Sequence, residues 1–200
     1  MPIVGITGGI ATGKSSFASL LSRQTGANLF DADQFARELL DSDDDVRRQV
    51  RDSFGDEIFG PAGEPDRALL RELVFAGDEK RRALEQILHP VIRARWVALA
   101  EKARASGEWL AVDIPLLFET GNGALFDKII VVACRPGTQM HRLLNIRKLS
   151  ADMAGRIIAA QMDLDTKISR ADHVIWNDGP ETAMERQAAL LASHLKQRHG

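Results

Sequence analysis

The sequence predicts an α/β protein, a parallel β-sheet covered by helices on both faces, from three observations. Short apolar, β-branched runs alternate with helical patterns along most of the chain. The first run, Ile3 to Thr7, passes through a glycine-rich turn directly into a helical pattern. The alternation is interrupted once, by charged helical stretches from Asp41 to Ala105, which read as an insertion on the α/β core.

Ile3-Val4-Gly5-Ile6-Thr7 reads as a buried strand. A helix should follow from about Gly13, with Phe17, Leu20 and Leu21 on its inner face. Ala27 to Asp31 gives a second, short strand, and Phe35, Ala36, Leu39 and Leu40 form one face of the next helix. In the helical middle, Gly60-Pro61-Ala62-Gly63-Glu64-Pro65 is a turn, and Asp66 is the expected N-cap of a helix carrying Leu69, Leu70, Leu73 and Val74. Glu79 to Ala105 is helical but expected to break or kink at His89-Pro90. Strands return at Trp109 to Pro115, at Lys128 to Cys134 and at His173 to Trp176. Between the last two lies a helix with Met140, Leu143 and Leu144. The closing helix spaces Met184, Ala188, Leu191 and Leu195 as an amphipathic stripe.

Two hundred residues, 44% hydrophobic and 27% charged, suit a globular protein with a sizeable core. A formal charge of -2 gives no support for a general nucleic-acid or membrane-surface binder, so any charge that holds an anion must be local. One cysteine, Cys134, excludes an internal disulfide and reads as a small buried hydrophobe. Met1 to Thr7 has no basic segment, and no window reaches the roughly 18 apolar residues of a membrane span. The expectation is a cytoplasmic protein with small-molecule substrates, and no nucleic-acid, membrane or obligate protein partner.

Gly8-Gly9-Ile10-Ala11-Thr12-Gly13-Lys14-Ser15 matches G-x-x-x-x-G-K-[ST] at each fixed position, with a strand before and a helix after. Glycines let the backbone turn its N–H groups inward around phosphate oxygens, where a helix N-terminus adds positive potential. Gly9, Ala11, Thr12, Gly13, Lys14, Ser15 and Ser16 are therefore expected to hold a nucleoside triphosphate. Lys14 reaches the β- and γ-phosphates and the Ser15 hydroxyl can ligate Mg²⁺.

Such a loop serves switches, motors and kinases alike. Asp52-Ser53-Phe54-Gly55 spells the D-x-x-G of a GTPase, but in helical surroundings and without a guanine-reading motif downstream. A motor ATPase normally needs more chain and an apolar run ending in an acid; Asp113 could occupy that place, but Pro115 follows almost at once. The kinase reading rests on Asp31-Ala32-Asp33 at the end of the second strand, since strand ends form the ligand crevice of a parallel sheet. A carboxylate there can accept a hydroxyl proton; the alternative for both aspartates is helix capping. Arg142, Arg147, Lys148 and Arg156 form a basic cluster, either a lid over the phosphates or a solvated helix face. His89 reads as structural or exposed, and Trp96, Trp109 and Trp176 as core or subdomain contacts.

In order along the chain, G-I-T-G-G-I-A-T-G-K-S, D-A-D-Q-F-A-R, L-H-P-V-I, I-P-L-L-F-E and A-A-Q-M resemble the dephospho-coenzyme A kinase family, from Ile3 to about Gly179. The resemblance implies a three-layer P-loop kinase fold with a five-stranded parallel sheet over residues 1–200. It places a helical coenzyme A-binding region at 32–105 and a lid at about 138–170. It implies that ATP, with Mg²⁺ at Ser15, phosphorylates the ribose 3′-hydroxyl of dephospho-CoA. Asp33 becomes the base, Lys14, Arg142 and Arg156 the cations at the transferring phosphate, and Asp33, His89, Leu116, Leu117 and Phe118 the acceptor contacts. Two positions depart from the family pattern. Ile146 stands where the lid's second arginine is expected, with Arg147 next to it, and Ala11 stands where many relatives carry glycine.

Overall fold

Runs that are apolar on both faces become strands of a sheet buried on both sides. In a computed structural model, which describes residues 2–61 and 63–199, all six positions of β1 (Ile3–Gly8) are buried. Met1, Gly200 and Ala62 of the expected Gly60–Pro65 turn lie outside the described residues. The chain divides into two compact units, Met1–Asp31 with Ala98–Gly200, and Ala32–Val97.

In the first unit, β1 is followed by α1 (Lys14–Thr25) and β2 (Asn28–Asp31). The second unit contributes α2 (Ala32–Ser42), α3 (Asp44–Phe54), α4 (Arg67–Ala76) and the beginning of α5 (Asp78–Ser106). The first unit resumes with β3 (Leu110–Asp113), β4 (Lys128–Ala133), α6 (Pro136–His141), α7 (Ala151–Ala159), α8 (Leu164–Ser169), β5 (His173–Trp176) and α9 (Glu181–His199).

The five strands lie in the order β2-β3-β1-β4-β5, all parallel. β1 is central; the chain passes from β1 to β2 on one side of it and from β3 across to β4 on the other, and this change of side marks a crevice at the sheet's C-terminal end. Helices α1 and α9 close over the sheet: Phe17, Leu20 and Leu21 pack with the stripe Met184, Ala188, Leu191 and Leu195 against Val4, Ile6, Ile130 and Val132. Trp96 and Trp109 are buried as expected. Trp176 is not. It is 44% exposed because β5 is an edge strand whose inward residue is Ile175.

The second unit has its own core of Leu39, Leu40, Val46, Val50, Phe54, Ile58, Leu70 and Leu88. Asp66 caps α4 as expected, its carboxylate accepting from the amides of Ala68 and Leu69 at 3.0 and 2.9 Å. The D-x-x-G stretch is the end of α3, where Gly55 turns the chain with φ 98°. The expected break at Pro90 does not occur, and α5 is one helix of 29 residues. Pro90 removes only the bond to the Gln86 carbonyl, and both residues are exposed, so water can replace it.

Candidate active site

The loop after β1 is shaped by what its neighbours leave room for. A side chain at Gly8 would run into the Val132 carbonyl of β4, and one at Gly13 into the Asn177 amide. Gly13 sits at the N-cap of α1 with φ 92°, a left-handed conformation natural to glycine, and no side chain caps the helix. The amides of its first turn therefore face the crevice with the positive end of the helix dipole.

Ala11 shares the left-handed region, with φ 59°. The loop thus needs a positive φ at the position where the sequence resemblance implied a glycine, and Ala11 holds it under strain. Ala11→Gly should relieve roughly 1–2 kcal/mol of that strain and lose less to unfolded-chain entropy, raising Tm by about 1–3 °C. A melting curve checks this; a lower Tm would mean that the methyl is supported rather than strained.

Five successive carbonyls, from Gly8 to Thr12, accept hydrogen bonds from side chains. Thr12 Oγ1 donates to Gly9 at 2.8 Å, Gln139 Nε2 to Ile10 at 2.7 Å and Arg142 Nη1 to Ala11 at 3.1 Å. Asn177 Nδ2 donates to Thr12 at 2.8 Å, and the fully buried Lys167 Nζ to Gly8 at 3.2 Å. Gln161 Oε1 accepts from the Ile10 amide at 2.8 Å. With its carbonyls committed, the loop has N–H groups left to offer an anion, a backbone nest.

Lys14 and Ser15 meet over Asp113, the last residue of β3. Lys14 Nζ is paired with one carboxylate oxygen, and Ser15 Oγ donates to the other at 3.1 Å. Burial pushes the Asp113 carboxyl above the usual carboxylate range, against the opposing pull of the Lys14 ammonium, and the negative charge of Asp31 pushes the same way as burial. Asp31 is the cross-strand partner of Asp113 in the β2–β3 register. The ends of β2 and β3 thus place two carboxylates beside the ammonium and hydroxyl of the first turn of α1.

The other expected residues divide. Arg142 lies against the loop, but its guanidinium is committed to the carbonyls of Ala11 and Asn177, at 3.1 and 2.9 Å, which makes it a brace in this conformation. Arg156 lies on α7, 54% exposed at its side chain, paired with Asp152 one helical turn away at 2.7 Å. Exposed pairs of this kind hold an arginine weakly. Ile146 is 69% exposed and closes a wide helical turn in which the Arg147 amide bonds the Arg142 carbonyl at 3.0 Å. Leu117 is fully buried, and a side chain at Gly5 would come within 2.7 Å of its Cδ1, so it packs beneath β1. Leu116 and Phe118 are half-buried, Phe118 with the Arg170 guanidinium 5.9 Å from its ring centre. In the second unit, Asp33 is exposed in the first turn of α2, and His89 is half-buried on α5 with burial lowering its pKa against the raising influence of Glu85.

Sequence reasoning did not foresee Gln139, Gln161, Lys167 and Asn177 as partners of the loop. Gln161 stood in the quoted A-A-Q-M segment, but nothing there said what its amide bonds.

A family model described as dephospho-CoA kinase matches residues 2–182. The dephospho-CoA kinase of Thermosynechococcus vestitus is 42% identical over 194 residues, covering 96% of this chain and 94% of that protein. A crystal structure of TT1252 from Thermus thermophilus superposes with a TM-score of 0.75 at 30% identity, covering 96% of this chain and 97% of that one. The structure of dephospho-CoA kinase from Campylobacter jejuni does so with 0.71 at 26%, covering 99% and 98%.

Proposed function

The chain belongs to the dephospho-CoA kinase family, and on that premise we propose that it transfers the γ-phosphoryl group of ATP to the ribose 3′-hydroxyl of dephospho-CoA, releasing CoA and ADP. The observation that supports this most is the phosphate loop itself, five carbonyls turned away and Lys14 and Ser15 aimed with Asp113 at its rim. Amides of Gly9, Ala11, Thr12, Gly13, Lys14, Ser15 and Ser16 bind the phosphates, while that of Ile10 stays on Gln161, and Lys14 exchanges Asp113 for the β- and γ-oxygens.

Mg²⁺ fits the oxygen donors present. A hard cation that keeps several waters needs only one or two protein oxygens beside substrate phosphates, and Ser15 Oγ beside the Asp113 carboxylate supplies them. Among the described residues no group of three or more His, Cys, Asp or Glu side chains could hold a metal without such help. When bound, the ion would neutralise charge that develops on the phosphate oxygens.

Asp33 is the proposed base. It follows the end of β2 by two residues and is exposed, so it is open to an acceptor hydroxyl. It takes the hydroxyl proton as the new P–O bond forms and the bond to ADP breaks. Residues 32–105 are proposed to bind dephospho-CoA, with His89 among the contacts, and Leu116 and Phe118 are proposed as apolar contacts beyond β3. Residues 138–170 are proposed as the lid. Within it Arg156 is proposed as a cation that swings to the phosphate, because its pair with Asp152 is exposed. Among the described residues no helix is long and apolar enough to cross a membrane, and the proposed location is the cytoplasm.

A panel of acceptors with Mg-ATP tests the assignment. ADP should be released with dephospho-CoA and not with nucleoside monophosphates or shikimate; release with a monophosphate and none with dephospho-CoA would overturn it.

A further inference from the structure

Lys167 is a charged side chain with no exposed surface, an arrangement proteins tolerate only when each donor is satisfied. An ammonium has three N–H bonds, and here three acceptors surround it. They are the Gly8 carbonyl at 3.2 Å, the Pro115 carbonyl at 3.0 Å and Glu119 Oε1 at 2.8 Å.

What those acceptors belong to gives the contact its meaning. Gly8 is the last residue of β1 and the first of the phosphate loop. Pro115 stands two residues beyond Asp113, the carboxylate that holds Lys14 and Ser15, and its carbonyl also accepts from Thr7 Oγ1 at 3.0 Å. Glu119 Oε1 accepts a second bond, from the Met162 amide at 2.9 Å. Met162 follows Gln161, whose side chain accepts from the Ile10 amide. A single ammonium thus ties the loop's entry to the turn after β3, and through Glu119 it fixes the arm that grips Ile10.

We propose that Lys167 is a positioning residue for phosphoryl transfer, a sealed ammonium that turns the Gly8 carbonyl away from the phosphates and seats Gln161 on the loop. Stability alone is a weak account of a buried ion pair, because such pairs can often be replaced by apolar groups of like size without loss. The carbonyl contacts at Gly8 and Pro115 would be lost in that replacement, whatever happens to the charge. The transfer step in this inference rests on the kinase reading above; the loop geometry does not depend on the acceptor's identity.

The test uses Lys167→Met, the double variant Lys167→Met with Glu119→Gln, and Gln161→Met. Each is measured for Tm, for ADP affinity without acceptor, and for kcat and the KM values of ATP and dephospho-CoA. Lys167→Met should lower Tm, weaken ADP by about tenfold and raise the KM of ATP similarly, the scale of one charge-assisted hydrogen bond. The KM of dephospho-CoA should not change. In the double variant Glu119 no longer carries an unpaired charge, but the Gly8 and Pro115 carbonyls still lack the ammonium, so Tm should recover in part while ADP affinity does not. Recovery of ADP affinity together with Tm would overturn the proposal, because Lys167 would then matter only through stability. If neither Lys167 variant folds, Gln161→Met decides: weakened ADP binding supports the latch and unchanged binding refutes it. Wild-type protein that binds ADP but does not phosphorylate dephospho-CoA would overturn the acceptor assignment, and ADP affinity would still judge Lys167.

Discussion

Lys14→Ala is expected to reduce kcat/KM for ATP by roughly 10³-fold, about the upper end of what one preorganised charge contributes to a transition state. The loss has two origins. The β- and γ-phosphates lose their point charge, and the fully buried Asp113 loses its ion-pair partner. The second origin leaves a pH signature with a fixed sign. Burial already raises the Asp113 pKa, and Lys14 is the largest opposing influence, so its removal raises that pKa further. A carboxyl whose folded pKa lies above its unfolded value contributes stability below the unfolded pKa and loses it as pH rises through the folded pKa. The variant should therefore fall further behind the wild type in Tm as pH increases from the ordinary aspartate range. Unchanged ATP kinetics would remove Lys14 from the phosphate site, and a Tm difference that shrinks with rising pH would contradict the electrostatics of Asp113.

Asp33→Asn is expected to leave ATP binding intact and lower kcat by at least roughly 100-fold, the scale of a positioned acid or base. Asparagine keeps the size and the capping ability of aspartate at the start of α2, so a capping role predicts near-normal turnover. A small change in kcat would return Asp33 to the role of a cap. A loss of ATP affinity equal to the loss in kcat would show that it acts on the phosphate loop and not on the acceptor.

The parts of this protein legible in its sequence are those whose signal is local. Ile3 to Thr7 and Lys128 to Cys134 read as strands because burial on both faces demands unbroken apolar, β-branched runs. Gly8 to Ser15 read as a phosphate loop because backbone geometry there restricts the residue types, and Asp66 read as a cap because its partners lie two and three residues away. Positions settled by distant neighbours were not legible. Asn177 and Gln139 reach the loop from 165 and 129 residues away, and nothing near them in sequence marks that contact. Leu117 was expected at the acceptor and packs under Gly5 instead, since the motif around it does not say which of three apolar residues points inward. Trp176 was expected as a core or subdomain contact, and only the strand order reveals that it stands on an edge strand, outside the core. Ala11 lies between these cases, because the need for a positive φ could be suspected from the family's glycine but was visible only in the backbone.

The most direct measurement is the product of one reaction. With Mg-ATP and dephospho-CoA as the only substrates, phosphorus NMR should show a new phosphomonoester on the ribose 3′-oxygen, formed in step with ADP and at least roughly 100-fold more slowly in Asp33→Asn. ADP appearing without that phosphomonoester, or a phosphoryl group on any other oxygen of dephospho-CoA, would contradict the account.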